Sequence, residues 1–189
     1  SGAIFNVKVQ QDNFLGKGNN VALELEKSSY KQLVRYSNTD PYYTNDGISK
    51  TTNLVFSETD VSSSSTAAYI SDTIAYGVSF NVPISETQTY GYGGQLVLTD
   101  YTTTAGSPTN VTSFLNKHGT THLGFLINGN YTEDTRDRTV YATIGKRQTL
   151  ISNIYIPPDF DYSYASIKLS GEYNKPFVFN FLDLFDWNT

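Results

Sequence analysis

From Ile70 to Ile84 every even position except Asp72 is apolar: Ile70, Ile74, Tyr76, Val78, Phe80, Val82 and Ile84. The odd positions between them are small or polar: Ser71, Thr73, Ala75, Gly77, Ser79, Asn81 and Pro83. A period of two sustained over fifteen residues puts alternate side chains on opposite sides of a strand and cannot form a helix stripe. After a short turn, Ser85–Thr87, the pattern resumes with Tyr90, Tyr92, Leu96 and Leu98 against Thr89, Gly91, Gly93, Gln95 and Thr99. Tyr69–Tyr101 therefore reads as a hairpin whose strands exceed the usual length. One face is apolar and aromatic; the other is small and hydrophilic. In a soluble sandwich the apolar face would point into a core. In a transmembrane β-barrel it would point at lipid, with the polar face lining the lumen. Strand length and the Tyr-Gly-Tyr-Gly texture favour the barrel, because a tilted transmembrane strand is long and carries interfacial aromatics. On that reading Tyr76, Val78, Phe80, Val82, Tyr90, Tyr92, Leu96 and Leu98 face lipid.

The bulk numbers fit an all-β chain. Its 189 residues suffice for one domain, and charged residues make up only 16%. Tyr (15) and Phe (11) are abundant, which favours strands. A net charge of -5 and the lack of a basic run argue against a nucleic-acid partner. Without cysteine there is no disulfide, thiolate metal site or Cys nucleophile. No apolar run is long enough for a transmembrane helix, and a mean hydropathy of -0.36 is compatible with a barrel because half of each strand faces water. The chain contains no Met, even at its first position, so a processed or excised piece is expected.

Read in order, the chain predicts ten strands and no helix: Ala3–Gln11, Val21–Lys27, Tyr30–Asn38, Thr51–Glu58, the two arms of Tyr69–Tyr101, Thr120–Thr132, Gln148–Ile156, Tyr162–Tyr173 and Phe177–Phe185. Pro157-Pro158 ends the eighth strand. Compact turns follow the odd-numbered strands, while the Ser-rich stretch Asp60–Ala68 and the polar stretch Thr102–Gly119 fall at the opposite end. Short periplasmic turns and longer outer loops are the habit of bacterial barrels. Glu133–Arg147, long and on the short-turn side, runs against that pattern.

Two turns carry a resemblance. Gln10, Gln11, Asp12, Asn13, Gly16 and Gly18 stand in QQDNFLGKG; Asp40, Pro41, Tyr42, Asp46 and Gly47 stand in DPYYTNDG. With GVSFNVPISE (Gly77–Glu86), NYTEDTRDRTVYATIGKRQTL (Asn130–Leu150) and IYIPP (Ile154–Pro158) in the same order, residues 1–189 resemble the barrel of the BamA family. That family is the central subunit of the machinery that inserts β-barrel proteins into the bacterial outer membrane. The resemblance implies an antiparallel up-and-down barrel of sixteen strands, of which this chain supplies about the second to the eleventh. The POTRA domains, the first strand and the C-terminal strands are not in it, so it would form the wall opposite the lateral gate. It also implies a non-catalytic protein of the outer membrane that uses no cofactor. Its partners would be outer-membrane lipid, nascent β-barrel substrates and assembly-complex lipoproteins. The long Glu133–Arg147 turn is expected under this alignment.

His118 and His122 are the only histidines, and their spacing suits a metal only on a helix, which Gly119 interrupts. They read as loop or strand-end residues, and no catalytic or metal-binding residue is assigned. The acidic turns lack a calcium-loop pattern. Glu133, Asp134, Arg136, Asp137 and Arg138 read slightly better as a solvated turn than as a salt-bridged cluster. A two-partner-secretion or translocation barrel of the same superfamily and a soluble carbohydrate-binding module are the remaining alternatives.

Overall fold

The structure is a computed structural model; it describes residues 3–61, 68–104, 106–158 and 162–175. Nine strands form one antiparallel meander in which each strand pairs with its sequence neighbours. They are β1 (Phe5–Gln11), β2 (Asn20–Lys27), β3 (Lys31–Asp40), β4 (Ser49–Asp60), β5 (Tyr69–Pro83), β6 (Gln88–Thr103), β7 (Thr121–Asp134), β8 (Gly145–Ile156) and β9 (Tyr164–Asn174). The fold class is that of an all-β transmembrane barrel wall, present here as an open sheet. The expected tenth strand, Phe177–Phe185, and most of the Ser-rich stretch lie outside the described residues.

Register follows from the alternation. Tyr76 lies opposite Leu54 on β4 and Leu96 on β6, and Leu96 lies opposite Phe125 on β7, so one parity forms one face across the sheet. A slip of one residue would turn each of these side chains to the other face. The faces differ in what covers them. Ile74 is 47% exposed, Tyr76 52% and Phe125 53%, while Ala75, one residue away on β5, is buried. Among the described residues no second sheet packs on the apolar face, which removes the sandwich reading. The few buried apolar residues, Leu33, Ala68, Ala75 and Leu115, lie on the opposite face or in the loops above it. Residues from β3 through β9 line a single cavity of about 500 Å³ on that face, so the sheet curls around it. The apolar face is therefore the convex outer one.

The structure corrects one expectation outright. The polar stretch Thr102–Gly119 contains a helix, α1 (Thr109–His118). Val111, Phe114 and Leu115 repeat at helical spacing, and Leu115 is buried. Lys117 occupies the last turn, where a cation suits the helix dipole. Gly119 follows at φ 84 and donates its N–H to the Leu115 carbonyl at 2.8 Å.

Candidate functional site

The outer face gathers the eight expected lipid-facing residues into one patch on β5 and β6. Tyr76 pairs with Leu96, Phe80 with Tyr92, Val82 with Tyr90, and Val78 with Gly94; Leu98 pairs with Ile74. Tyr76, Tyr90, Tyr92, Leu96 and Leu98 are exposed, and Val78, Phe80 and Val82 are half-buried by their neighbours. Phe80 stacks on Tyr92 at 5.4 Å, and Tyr92 on Tyr90 at 5.9 Å. The patch continues onto β7 through Leu123, Phe125, Ile127 and Tyr131, whose partners are Leu98, Leu96, Gly94 and Tyr90. Polar residues bound it at both ends: Asp72, Asp100 and Thr121 in one register row, Gln88 and Glu133 in another.

The two motif turns project from the same, short-turn end of the sheet. Gln10 and Gln11 finish β1, and the Gln10 amide donates to Asp12 at 3.0 Å. Asn13 (φ 52), Gly16 (φ 72) and Gly18 (φ 77) turn the chain back, and Asn13 Oδ1 accepts the Gly18 N–H at 2.7 Å. Such φ values are accessible to Asn and unstrained for Gly, which accounts for these residue types. In the second turn Asp40 Oδ1 accepts the Tyr42 N–H at 3.1 Å after Pro41, and Gly47 (φ 80) donates to the Thr44 carbonyl at 3.1 Å. Asp46 is exposed. The two turns are held apart by the strands between them, with an Asn19–Asn38 side-chain bond of 3.3 Å tying the first to β3.

The lumen face carries an aromatic cluster that the residue pattern did not reveal. His122, the second residue of β7, is 4% exposed. Its Nδ1 is 2.7 Å from the Tyr162 hydroxyl, forty positions on in the β8–β9 connection. Phe114 of α1 stacks on His122 at 5.5 Å and meets Tyr162 edge-on at 5.5 Å; Tyr101 of β6 meets His122 edge-on at 5.5 Å. Ser107 and Thr104 both donate to the Ala68 carbonyl, joining the β6–β7 loop to the start of β5. The described part of the β6–β7 loop, with α1, thus lies against the lumen face. The helical spacing of Val111, Phe114 and Leu115 was the available signal for the cluster. Deeper in the lumen, a Cβ on Gly124 would collide with the Tyr155 ring, which stacks on Tyr164 at 5.3 Å; glycine lets the ring lie on the strand.

The charged residues of the β7–β8 loop form a bonded cluster at Arg136, while Asp137 and Arg138 stay exposed as a solvated turn would have them. The Arg136 side chain is 6% exposed and reaches Asp134 at 2.7 Å and Glu172 of β9 at 3.1 Å. Asp137 accepts from the Thr143 hydroxyl at 2.6 Å and the Ile144 N–H at 3.2 Å; these bonds, the hydroxyl's first, hold its carboxyl well below the usual carboxylate range. Lys146 pairs with Glu133 at 3.1 Å. Among the described residues no group of three or more His, Asp or Glu side chains could hold a metal ion.

A curled antiparallel meander, apolar outside, polar and capped inside, defines the wall of an outer-membrane β-barrel. The Omp85 superfamily domain matches residues 13–184, and the chain belongs to that superfamily. It is 28% identical over 123 residues to the outer membrane protein assembly factor BamA of Neisseria meningitidis serogroup B, a match covering 64% of this chain and 15% of that protein. Its fold is similar to the crystal structure of BamA from Haemophilus ducreyi lacking POTRA domains 1-3, with a TM-score of 0.73 and 21% identity over 90% of this chain and 35% of that one. The chain thus spans a minor part of the relatives it matches. It is a segment of a bacterial outer-membrane β-barrel.

Proposed function

We propose that this chain is a wall segment of a BamA-like insertase, which folds and inserts β-barrel proteins into the outer membrane without chemical catalysis. Outer-membrane lipid, nascent barrel substrates and assembly-complex lipoproteins are the partners on this reading, and the eight outer residues of β5 and β6 contact lipid. The observation that carries it is the uneven height of the apolar band. On β6 the band runs from Tyr90 to Leu98, but on β3 only Val34 and Tyr36 stand between Gln32 and Asn38. On β4 it holds Leu54 and Phe56, between Thr52 and Glu58. At ~3.4 Å per residue that is roughly 27 Å along β6 against roughly 7 Å along β3. Lipid beside β3 and β4 must thin to keep charges such as Glu58 wet, at a cost of fractions of a kcal/mol per Å of mismatch. A thinned bilayer is easier for an incoming strand with unpaired backbone groups to enter.

The parent protein, reconstituted in phospholipid vesicles, is expected to accelerate folding of a urea-unfolded outer-membrane barrel, read as its heat-modifiable gel shift. Gln32→Leu with Glu58→Leu, which raises the band on β3 and β4, should slow that reaction most in thick bilayers. No acceleration over protein-free vesicles would count against the insertase reading and favour a secretion barrel of the same superfamily.

A further inference from the structure

The Asp40–Gly47 turn does more than reverse the chain. It lays Tyr43 against Phe80, 5.8 Å between ring centroids, so that Tyr43, Phe80, Tyr92 and Tyr90 form one aromatic run along the short-turn rim of the outer face. At this rim Asp40 on β3 lies opposite Lys50 on β4, and Lys50 lies opposite Phe80 on β5. All three belong to the outer parity. Opposite charges in register on neighbouring strands ordinarily attract one another. These two are held by other groups. The Lys50 ammonium sits over the Tyr43 ring, 4.8 Å from its centroid, and the Asp40 carboxylate accepts the Tyr42 N–H at 3.1 Å. Among the described residues no ion pair joins them. Tyr42, beside them, is 80% exposed.

We propose that this rim binds the headgroup of a zwitterionic phosphoethanolamine lipid of the inner leaflet. The phosphate sits on the Lys50 ammonium and the lipid ammonium on the Asp40 carboxylate, within reach of the Tyr42 ring. The acyl chains run along Phe80 and Tyr92. Charge complementarity selects this occupant. An acidic and a basic side chain in register on strands about 5 Å apart suit a phosphate and an ammonium joined by a two-carbon linker. A choline headgroup has no N–H for Asp40, and a phosphoglycerol headgroup brings net negative charge beside it. The inference needs only the outer-membrane wall and is independent of the insertase reading.

The test uses the parent protein in phosphatidylcholine vesicles, with Tyr43→Trp as reporter and Tyr43→Phe as the background to subtract. Lipids brominated on their acyl chains, with ethanolamine, choline or glycerol headgroups, quench the reporter. The brominated ethanolamine lipid is expected to show an apparent association constant about 3-fold above the choline lipid, the scale of one exposed charge contact. Asp40→Asn should erase that preference while quenching persists, and Lys50→Gln should weaken both. Equal quenching by all three lipids, a preference for the glycerol headgroup, or an unquenched reporter in water overturns the proposal. If Tyr43→Trp fails to fold by heat-modifiable mobility, Tyr42→Trp gives the same readout.

Discussion

Replacing Leu96 by Arg tests whether the outer face meets lipid. Leu96 is 41% exposed, between Tyr76 and Phe125 in register. The apolar run of β6 ends at Tyr90 and Leu98. At ~3.4 Å per residue and a tilt near 40°, it covers roughly 20 Å of the bilayer normal. Gly94 lies at its middle, which places Leu96 about 5 Å and Leu98 about 10 Å from the centre by the same geometry. An Arg near the midplane costs about 2–4 kcal/mol, falling to about 0–1 near the interface. Leu96→Arg should therefore lower the folding equilibrium constant roughly 30- to 900-fold, and Leu98→Arg less than about 6-fold. Gln95→Arg, one residue away on the lumen face, should stay within about 0.5 kcal/mol of the parent. The assay is reversible urea unfolding of the vesicle-embedded protein, with the folded fraction read from heat-modifiable mobility. Equal stability of the Leu96→Arg and Gln95→Arg proteins would refute the assignment of faces. Equal costs at Leu96 and Leu98 would refute the depth argument.

Two further outcomes follow from the lumen face and the rim. Gly124→Ala should cost about 1–3 kcal/mol, because the new methyl drives Tyr155 off the strand; adding Tyr155→Ala should recover part of that loss in a double-mutant cycle. Asp137 is held below its unfolded value by the Thr143 and Ile144 bonds. A depressed carboxyl contributes stability in full above its unfolded pKa of about 3.9 and loses it as pH falls through the folded value. The β7–β8 loop should accordingly stay ordered until strongly acidic pH. A carboxyl carbon NMR titration of Asp137 with a midpoint at or above about 4 would contradict this.

The strands were legible because their cause is local. The expected strand over Tyr69–Tyr101 appears as β5 and β6 with the same phase, and Val21–Lys27 appears as β2 with Glu24 and Glu26 on the lumen face, where Glu24 meets Arg35 at 3.2 Å. Boundaries moved where backbone pairing outran the side-chain pattern. β7 extends to Asp134 and β8 begins at Gly145, because the loop between them is stitched by Thr135–Lys146 and Asp137–Ile144 backbone bonds. The turn motifs were readable through Gly and Asp, whose roles are set within a few residues. The helix α1 is hard to see in the sequence because its polar residues mask a short apolar stripe, Val111, Phe114 and Leu115.

Alternation alone determined that one face of this chain is apolar and the other polar, since side-chain direction in a strand is fixed by parity. Alternation leaves open whether the apolar face meets a core or lipid, and strand length with aromatic texture only favoured lipid. Curvature decided that, by bringing β3 through β9 around one cavity and leaving Tyr76 and Phe125 uncovered. Only tertiary structure could bring His122 to Tyr162 and Arg136 to Glu172, pairs separated by 40 and 36 positions. Their meeting depends on how far the sheet has curled and which loops fold inward, and neither is encoded in any residue's immediate neighbours. The same holds at the Asp40–Lys50 rim. The turn fixes Asp40 against its own backbone, but strand register sets Lys50 beside it and Phe80 beyond.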